Sequence, residues 1–136
     1  MKFQVQNENE LVDKVWSTLG QKAKGGFVCG LESELGAGKT TLVKGLAKKF
    51  GIKEEITSPT FVVCKKYGNL QHLDLYRFEN AKKADLAEIG DWLSDSQAIT
   101  FIEWPNLIPG LVSKLDLLIK IRNLGTTRRE VELRWC

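Results

Sequence analysis

The segment that most constrains the fold is 27–50, where an apolar run passes through a turn of small residues straight into an amphipathic stretch. Phe27-Val28-Cys29-Gly30-Leu31-Glu32 is apolar on both alternating faces, the pattern of a strand whose sheet is covered by helices on each side. Residues 35–38 read as a turn of small residues. Leu42, Val43, Leu46, Ala47 and Phe50 then recur on one helical stripe, and Gly51 stands just past the last apolar position, where helices commonly stop.

The same periodicities organise the rest of the chain. A short strand is predicted at 3–5, followed by a helix with Asn7 and Glu10 at capping-box spacing and the stripe Leu11, Val12, Val15, Trp16, Leu19. Gly25-Gly26 is expected to break that helix. Phe61–Lys66 and Leu70–Tyr76 read as strands joined through Tyr67-Gly68-Asn69. Asn80 is placed to cap a third helix carrying Leu86 and Ile89, with Gly90 ending or bending it. Ala98–Ile102 reads as a strand, and Pro105 and Pro109 mark an irregular loop. Segments 115–121 and 131–135 alternate with period two around the turn at Asn123-Leu124-Gly125, predicting a closing antiparallel hairpin. Helices interleaved with strands predict an α/β sandwich: a central mixed, largely parallel sheet flanked by helices, formed as a single domain over 1–136.

The turn carries the chemistry. Residues 33–41 read Ser-Glu-Leu-Gly-Ala-Gly-Lys-Thr-Thr. The phosphate-loop pattern G-x-x-x-x-G-K-[ST] is met at Gly38, Lys39 and Thr40, with Ser33 in place of the first glycine. A strand feeding a glycine-rich turn and then a helix aims backbone N–H groups and the positive helix end at one point. Lys39 would reach the β/γ-phosphates of a nucleotide and the Thr40 hydroxyl would ligand Mg2+. A lysine at a helix N-terminus opposes the helix dipole unless an anion sits there. If the first loop position requires a positive φ, serine is strained there where glycine is not.

Such a loop needs a carboxylate on a neighbouring strand to hold magnesium directly or through water. Glu103 closes the run Ile99-Thr100-Phe101-Ile102 at a C-terminal strand edge, where ligands bind in open α/β sheets. Asp74 is the other candidate: period two puts His72, Asp74 and Tyr76 on one face and Leu73 and Leu75 on the other, so the polar face is expected to point toward a site. Which of Asp74 and Glu103 ligates the metal stays open. His72 is read first as structural. Ser58-Pro59-Thr60 could form a phosphate-sensing loop, though alone it would read as a plain turn.

Composition narrows the classes. The net charge of +3 on 136 residues is too small an excess to argue nucleic-acid binding. No apolar run approaches the roughly 18 residues of a membrane span, and MKFQVQNENE has no apolar stretch behind its lysine. A soluble, cytoplasmic protein is expected. Cys29, Cys64 and Cys136 are widely spaced with no C-x-x-C pair, and His72 is the only histidine, which argues against a disulfide framework or a multi-histidine metal site.

Four blocks together carry a resemblance: Gly36-Ala37-Gly38-Lys39-Thr40-Thr41, Ser58-Pro59-Thr60-Phe61, His72-Leu73-Asp74-Leu75-Tyr76-Arg77 and Ile102-Glu103-Trp104-Pro105. In this order they resemble the TsaE (YjeE) family over roughly residues 27–110. The resemblance implies a P-loop NTPase-like fold and a Mg2+-dependent ATPase that supports threonylcarbamoyladenosine (t6A) formation in tRNA together with the TsaD and TsaB proteins, meeting tRNA only through that complex. It implies that Gly36, Ala37, Gly38, Lys39, Thr40 and Thr41 bind ATP, that Thr40 and Glu103 hold Mg2+, and that Asp74 lies in a switch-like segment needed for hydrolysis, with Trp104 beside the metal carboxylate. Adenine contacts are assigned by the same resemblance near Asn9 and near Gly125. The family usually has glycine and aspartate where this chain has Ser33-Glu34.

Catalysis would rest on Lys39, Asp74 and Glu103. Arg77 is the nearest candidate for a transition-state arginine, so turnover is expected to be slow alone and raised by partners. Two alternatives remain at this stage: a small-molecule kinase built on the same loop, which would need an acceptor pocket and a basic lid, and a nucleotide-gated binding module without significant hydrolysis.

Overall fold

The strand expected at the start of the constraining segment forms over Val28–Ser33 and lies inside a seven-stranded sheet. The computed structural model describes residues 1–33, 38–56, 64–75 and 83–136. In chain order the elements are β1 (Lys2–Val5), α1 (Glu8–Leu19), β2 (Val28–Ser33), α2 (Lys39–Lys49), β3 (Cys64–Tyr67), β4 (Leu70–Asp74), α3 (Lys83–Leu93), β5 (Ile99–Glu103), β6 (Leu117–Asn123) and β7 (Arg129–Trp135). The strand order is β1-β7-β6-β2-β5-β4-β3. The central strands β6, β2, β5 and β4 run parallel, while β1, β7 and β3 pair antiparallel. The mixed, largely parallel sheet with a C-terminal antiparallel hairpin is therefore the one predicted.

Both faces are buried, as the doubly apolar β2 requires. On one face Cys29, Leu31, Phe101 and Ile119 pack against Leu11 and Leu19 of α1 and Leu42 and Leu46 of α2. On the other, Val28, Leu73, Ile102 and Leu118 pack against Ile89 of α3 and against Ile108, Leu111 and Leu115 from the segment after β5. Chains leaving β2 and β5 thus turn to opposite faces and open a crevice at their C-terminal ends, the position where ligands bind in open α/β sheets.

Helix ends follow local chemistry, with two departures from expectation. Asn7 caps α1 as predicted, its Oδ1 accepting from the Glu10 backbone N–H at 2.9 Å. Glu10 reaches back to the Gln6 backbone N–H at 3.2 Å, one residue before the position an ordinary capping box uses. The helix stops at Gly20, φ 53, rather than at Gly25-Gly26; a glycine adopts that backbone without the Cβ clash that an L side chain meets. Gly90 does not end α3, which continues to Leu93. Gly51 follows α2 where predicted.

β1 is parallel to β6, because each pairs antiparallel with β7. The C-terminal ends of β1, β2, β4, β5 and β6 consequently meet one edge of the sheet. Along it lie the start of α1, the start of α2, Trp104, and the turn between β6 and β7.

Candidate functional site

Site geometry begins where β2 gives way to α2. Ser33 is the last strand residue and pairs with Ile121. Among the described residues Trp104 is the only non-glycine with positive φ, so Ser33 carries none of the strain that a left-handed first loop position would impose. Its side chain has a use instead: the Lys39 ammonium donates to Ser33 Oγ at 2.9 Å. Gly38, φ 101, is the N-cap of α2, and a Cβ there would be in a left-handed conformation that costs an L residue roughly 1 kcal/mol or more. No side chain caps this helix and no acidic residue lies in its first turn, in contrast to α1 with its Asn7 cap, Glu8 and Glu10. The start of α2 keeps the positive character that favours an anion.

Lys39 is 6% exposed. Its Nζ sits 4.1 Å from the centroid of the Trp104 ring, a cation-π distance. Burial holds the ammonium below the ordinary lysine range, with Glu103 and Asp74 pulling the other way. Trp104 presents its ring from a left-handed backbone, φ 63 and ψ 46, fixed by its N–H donating to Leu31 O at 3.1 Å.

Thr40 faces the end of β5. Its hydroxyl lies 3.3 Å from Glu103 Oε1 and 3.2 Å from Oε2, so one proton is shared between the two oxygens. Glu103 is 3% exposed and pairs in the sheet with Leu31 of β2 and Asp74 of β4. The two candidate carboxylates thus sit side by side on adjacent parallel strands, on the face that α2 covers. His72 Nε2 lies 2.5 Å from Glu103 Oε2, with the imidazole wholly buried.

The structure therefore brings Lys39, Thr40, Asp74, Glu103 and Trp104 to one crevice. Gly38 caps α2 and Thr41 lies in its first turn. Asn9 is exposed in the first turn of α1, and Gly125 lies in the turn after β6; topology brings both to the same sheet edge. Glu34, Gly36 and Ala37, Ser58-Pro59-Thr60-Phe61, Tyr76-Arg77 and Asn80 lie outside the described residues. On the polar face of β4, His72 is wholly buried beside Phe101 of β5 and Asp74 is half-buried at the strand end.

Sequence reasoning missed three contacts. It treated Ser33 only as a departure, whereas the hydroxyl holds Lys39. It treated His72 apart from Glu103; the single signal was that His72 shares the polar face of β4 with Asp74, useful only once β4 and β5 are known to be parallel neighbours. It passed over Arg129, 8% exposed, whose Nη1 donates to the carbonyls of Gly125, Thr126 and Arg128 at 2.9–3.3 Å and braces that turn.

The donor set fits a magnesium-nucleotide. A hydroxyl and a carboxylate at one point are hard oxygen ligands of the kind Mg2+ takes one or two at a time, leaving the rest of its octahedron to water and phosphate. Among the described residues no group of three or more His, Cys, Asp or Glu side chains forms an all-protein metal cage. A cavity of about 540 Å3 adjoins the crevice and shares Ser33 and Trp104 with it.

A parallel-centred sheet whose inner strand runs into a Gly-Lys-Thr helix start, with a carboxylate ending the next strand, defines a P-loop NTPase-like fold. The family model for the threonylcarbamoyl adenosine biosynthesis protein TsaE matches residues 5–131. The tRNA threonylcarbamoyladenosine biosynthesis protein TsaE of Bacillus subtilis (strain 168) is 38% identical over 114 residues, covering 80% of this chain and 70% of that protein. The protein of the same name from Treponema pallidum (strain Nichols) is 36% identical over 121 residues, covering 85% and 88%. Among solved structures, the crystal structure of Bacillus subtilis YdiB superposes with a TM-score of 0.65 at 30% identity, covering 96% of this chain and 82% of that one. The chain belongs to the TsaE family.

Proposed function

We propose that this protein binds ATP with Mg2+ at the crevice between β2 and β5, hydrolyses it, and thereby supports t6A formation in tRNA with TsaD and TsaB in the cytoplasm. The observation that carries the reading is the convergence of the buried Lys39 ammonium, the Thr40 hydroxyl and the Glu103 carboxylate at the uncapped start of α2. The names of the relatives supply the pathway.

Each residue then has a task set by its surroundings. Backbone amides of Gly36, Ala37, Gly38, Lys39, Thr40 and Thr41 cradle the phosphates. Lys39 meets the β/γ-phosphates; its ammonium is already stripped of most water, so attraction to phosphate is screened little. The Thr40 hydroxyl and the Glu103 carboxylate would hold Mg2+, Glu103 directly or through its water. Bound Mg2+ would neutralise charge developing on the transferred phosphoryl group. Asp74, beside Glu103 at the open strand end, aligns the attacking water. Asn9 and the turn at Gly125 flank the same edge and contact the adenine.

With no arginine among the described residues at the phosphate position, positioning and charge neutralisation carry the rate. Slow hydrolysis by the isolated protein and a marked rise on adding purified TsaD and TsaB are expected. Equal rates alone and in the complex would contradict the partner role, and no hydrolysis under either condition would contradict the ATPase.

A further inference from the structure

The His72 imidazole is 0% exposed. Its Nε2 lies 2.5 Å from Glu103 Oε2, while Nδ1 is buried with no hydrogen-bond partner among the described residues. This geometry favours a proton on Nε2. A proton on Nδ1 would leave a buried donor unpaired and turn an Nε2 lone pair against a carboxylate oxygen. A proton on Nε2 donates to Glu103 and leaves only an acceptor unpaired, the cheaper arrangement.

Two donors therefore converge on Glu103, and they differ in permanence. Thr40 Oγ1 shares its proton between both oxygens at 3.2 and 3.3 Å, a long contact that ends when the hydroxyl ligates a metal. The short bond from His72 comes from the neighbouring strand β4, with the imidazole wholly buried in the sheet. It remains when Thr40 turns away.

We infer that His72 is a positioning residue: its Nε2–H holds one oxygen of Glu103 so that the carboxylate keeps its aim at the metal once Thr40 has left it. The inference rests on the proposed Mg2+·ATP reading of this crevice. Removing a donor behind a metal-binding group typically costs tenfold to a hundredfold in metal affinity. A residue that merely fills space would weaken everything the site does, whereas a positioning residue weakens the metal step alone.

The test uses Mn2+ as an electron paramagnetic probe, titrated into the protein–ADP complex, beside calorimetric ATP binding in EDTA. For His72→Ala, Mn2+ affinity is expected to fall about tenfold or more, with metal-free ATP affinity within about twofold of wild type. In His72→Gln the amide nitrogen reaches close to the place of Nε2 and is expected to recover most of the Mn2+ affinity, which also guards against His72→Ala failing to fold. Unchanged Mn2+ affinity in His72→Ala overturns the inference, as does an equal loss of metal-free ATP binding in both variants. Wild-type protein that binds neither ATP nor Mn2+–ADP refutes the reading of the crevice itself, an outcome distinct from either of these.

Discussion

The Lys39 ammonium donates to Ser33 Oγ across 2.9 Å, tying the first residue of α2 to the last residue of β2. The position where a phosphate loop would ordinarily start with glycine is thus occupied by a side chain that orients the loop's lysine. An ammonium has three donors, so the Ser33 bond and a phosphate contact can coexist. Ser33→Ala removes an orienting bond worth about 1 kcal/mol, and ATP affinity is expected to fall between twofold and fivefold by calorimetry. A rise in affinity would show that Ser33 competes with phosphate for Lys39.

Asp74 and Glu103 are register partners on β4 and β5, yet they face different neighbours. Glu103 is enclosed by Thr40 and His72, whereas Asp74 sits half-buried at the strand end. Glu103→Gln keeps the shape and removes the charge, so the Mg2+ concentration for half-maximal hydrolysis is expected to rise tenfold or more. Asp74→Asn is expected to slow hydrolysis at saturating Mg2+ while leaving ATP affinity nearly unchanged. If Asp74→Asn shifts the Mg2+ requirement and Glu103→Gln does not, the two roles are exchanged.

The crossing of α1 over α2 depends on Gly45. A Cβ at this position would stand 2.4 Å from Val12 Cγ2 and 2.9 Å from Cγ1. Gly45→Ala gains roughly 1 kcal/mol of helix propensity but overpacks a buried contact at a cost of about 1–3 kcal/mol. A net loss near 1 kcal/mol, seen as a melting point lower by about 3 °C, is expected. The Gly45→Ala/Val12→Ala double variant should lose less than the sum of its parts in urea titrations, because removing the valine methyls opens the space that the new Cβ needs.

Burial pushes the Cys29 thiol well above the ordinary range, with Asp116 and Cys136 adding to the shift. A folded-state value above the unfolded one gives stability that is fully present below the unfolded thiol value of about 8.5 and is lost as pH rises above it. Unfolding free energy is expected to fall between pH 8 and 10, and to fall less steeply in Cys29→Ala. Iodoacetamide should label exposed Cys136 first. Half-buried Cys64, whose thiol burial raises to about 11, should react slowly, and Cys29 only on unfolding.

Periodic elements were legible because local spacing dictates them. The stripe Leu11, Val12, Val15, Leu19 had to be a helix with one buried face, and the alternation through Leu117, Ile119 and Ile121 had to be a strand. β2 and α2 were readable for the same reason. Gly20 escaped notice because the Gly25-Gly26 pair is the louder signal, although a single left-handed residue is enough to end a helix. Strand order was not legible: β5 inserts between β2 and β4 through contacts far apart in sequence, and only that insertion sets Glu103 beside Asp74 and against His72. Ser33 looked like a defect in a motif because a motif records residue types, while the bond to Lys39 depends on where a side chain reaches. Arg129 likewise gave no local sign that it would brace the turn at Gly125.

The central claim is that the start of α2 is an anion site completed by Lys39. Isothermal calorimetry of ATP with excess Mg2+ against wild-type protein and Lys39→Ala tests it most directly. A saturable heat for the wild type and a loss of at least a hundredfold in affinity for Lys39→Ala, with the variant's melting point unchanged or raised by relief of the buried charge, is the expected result. No heat with the wild type, or equal affinities in the two proteins, would contradict it.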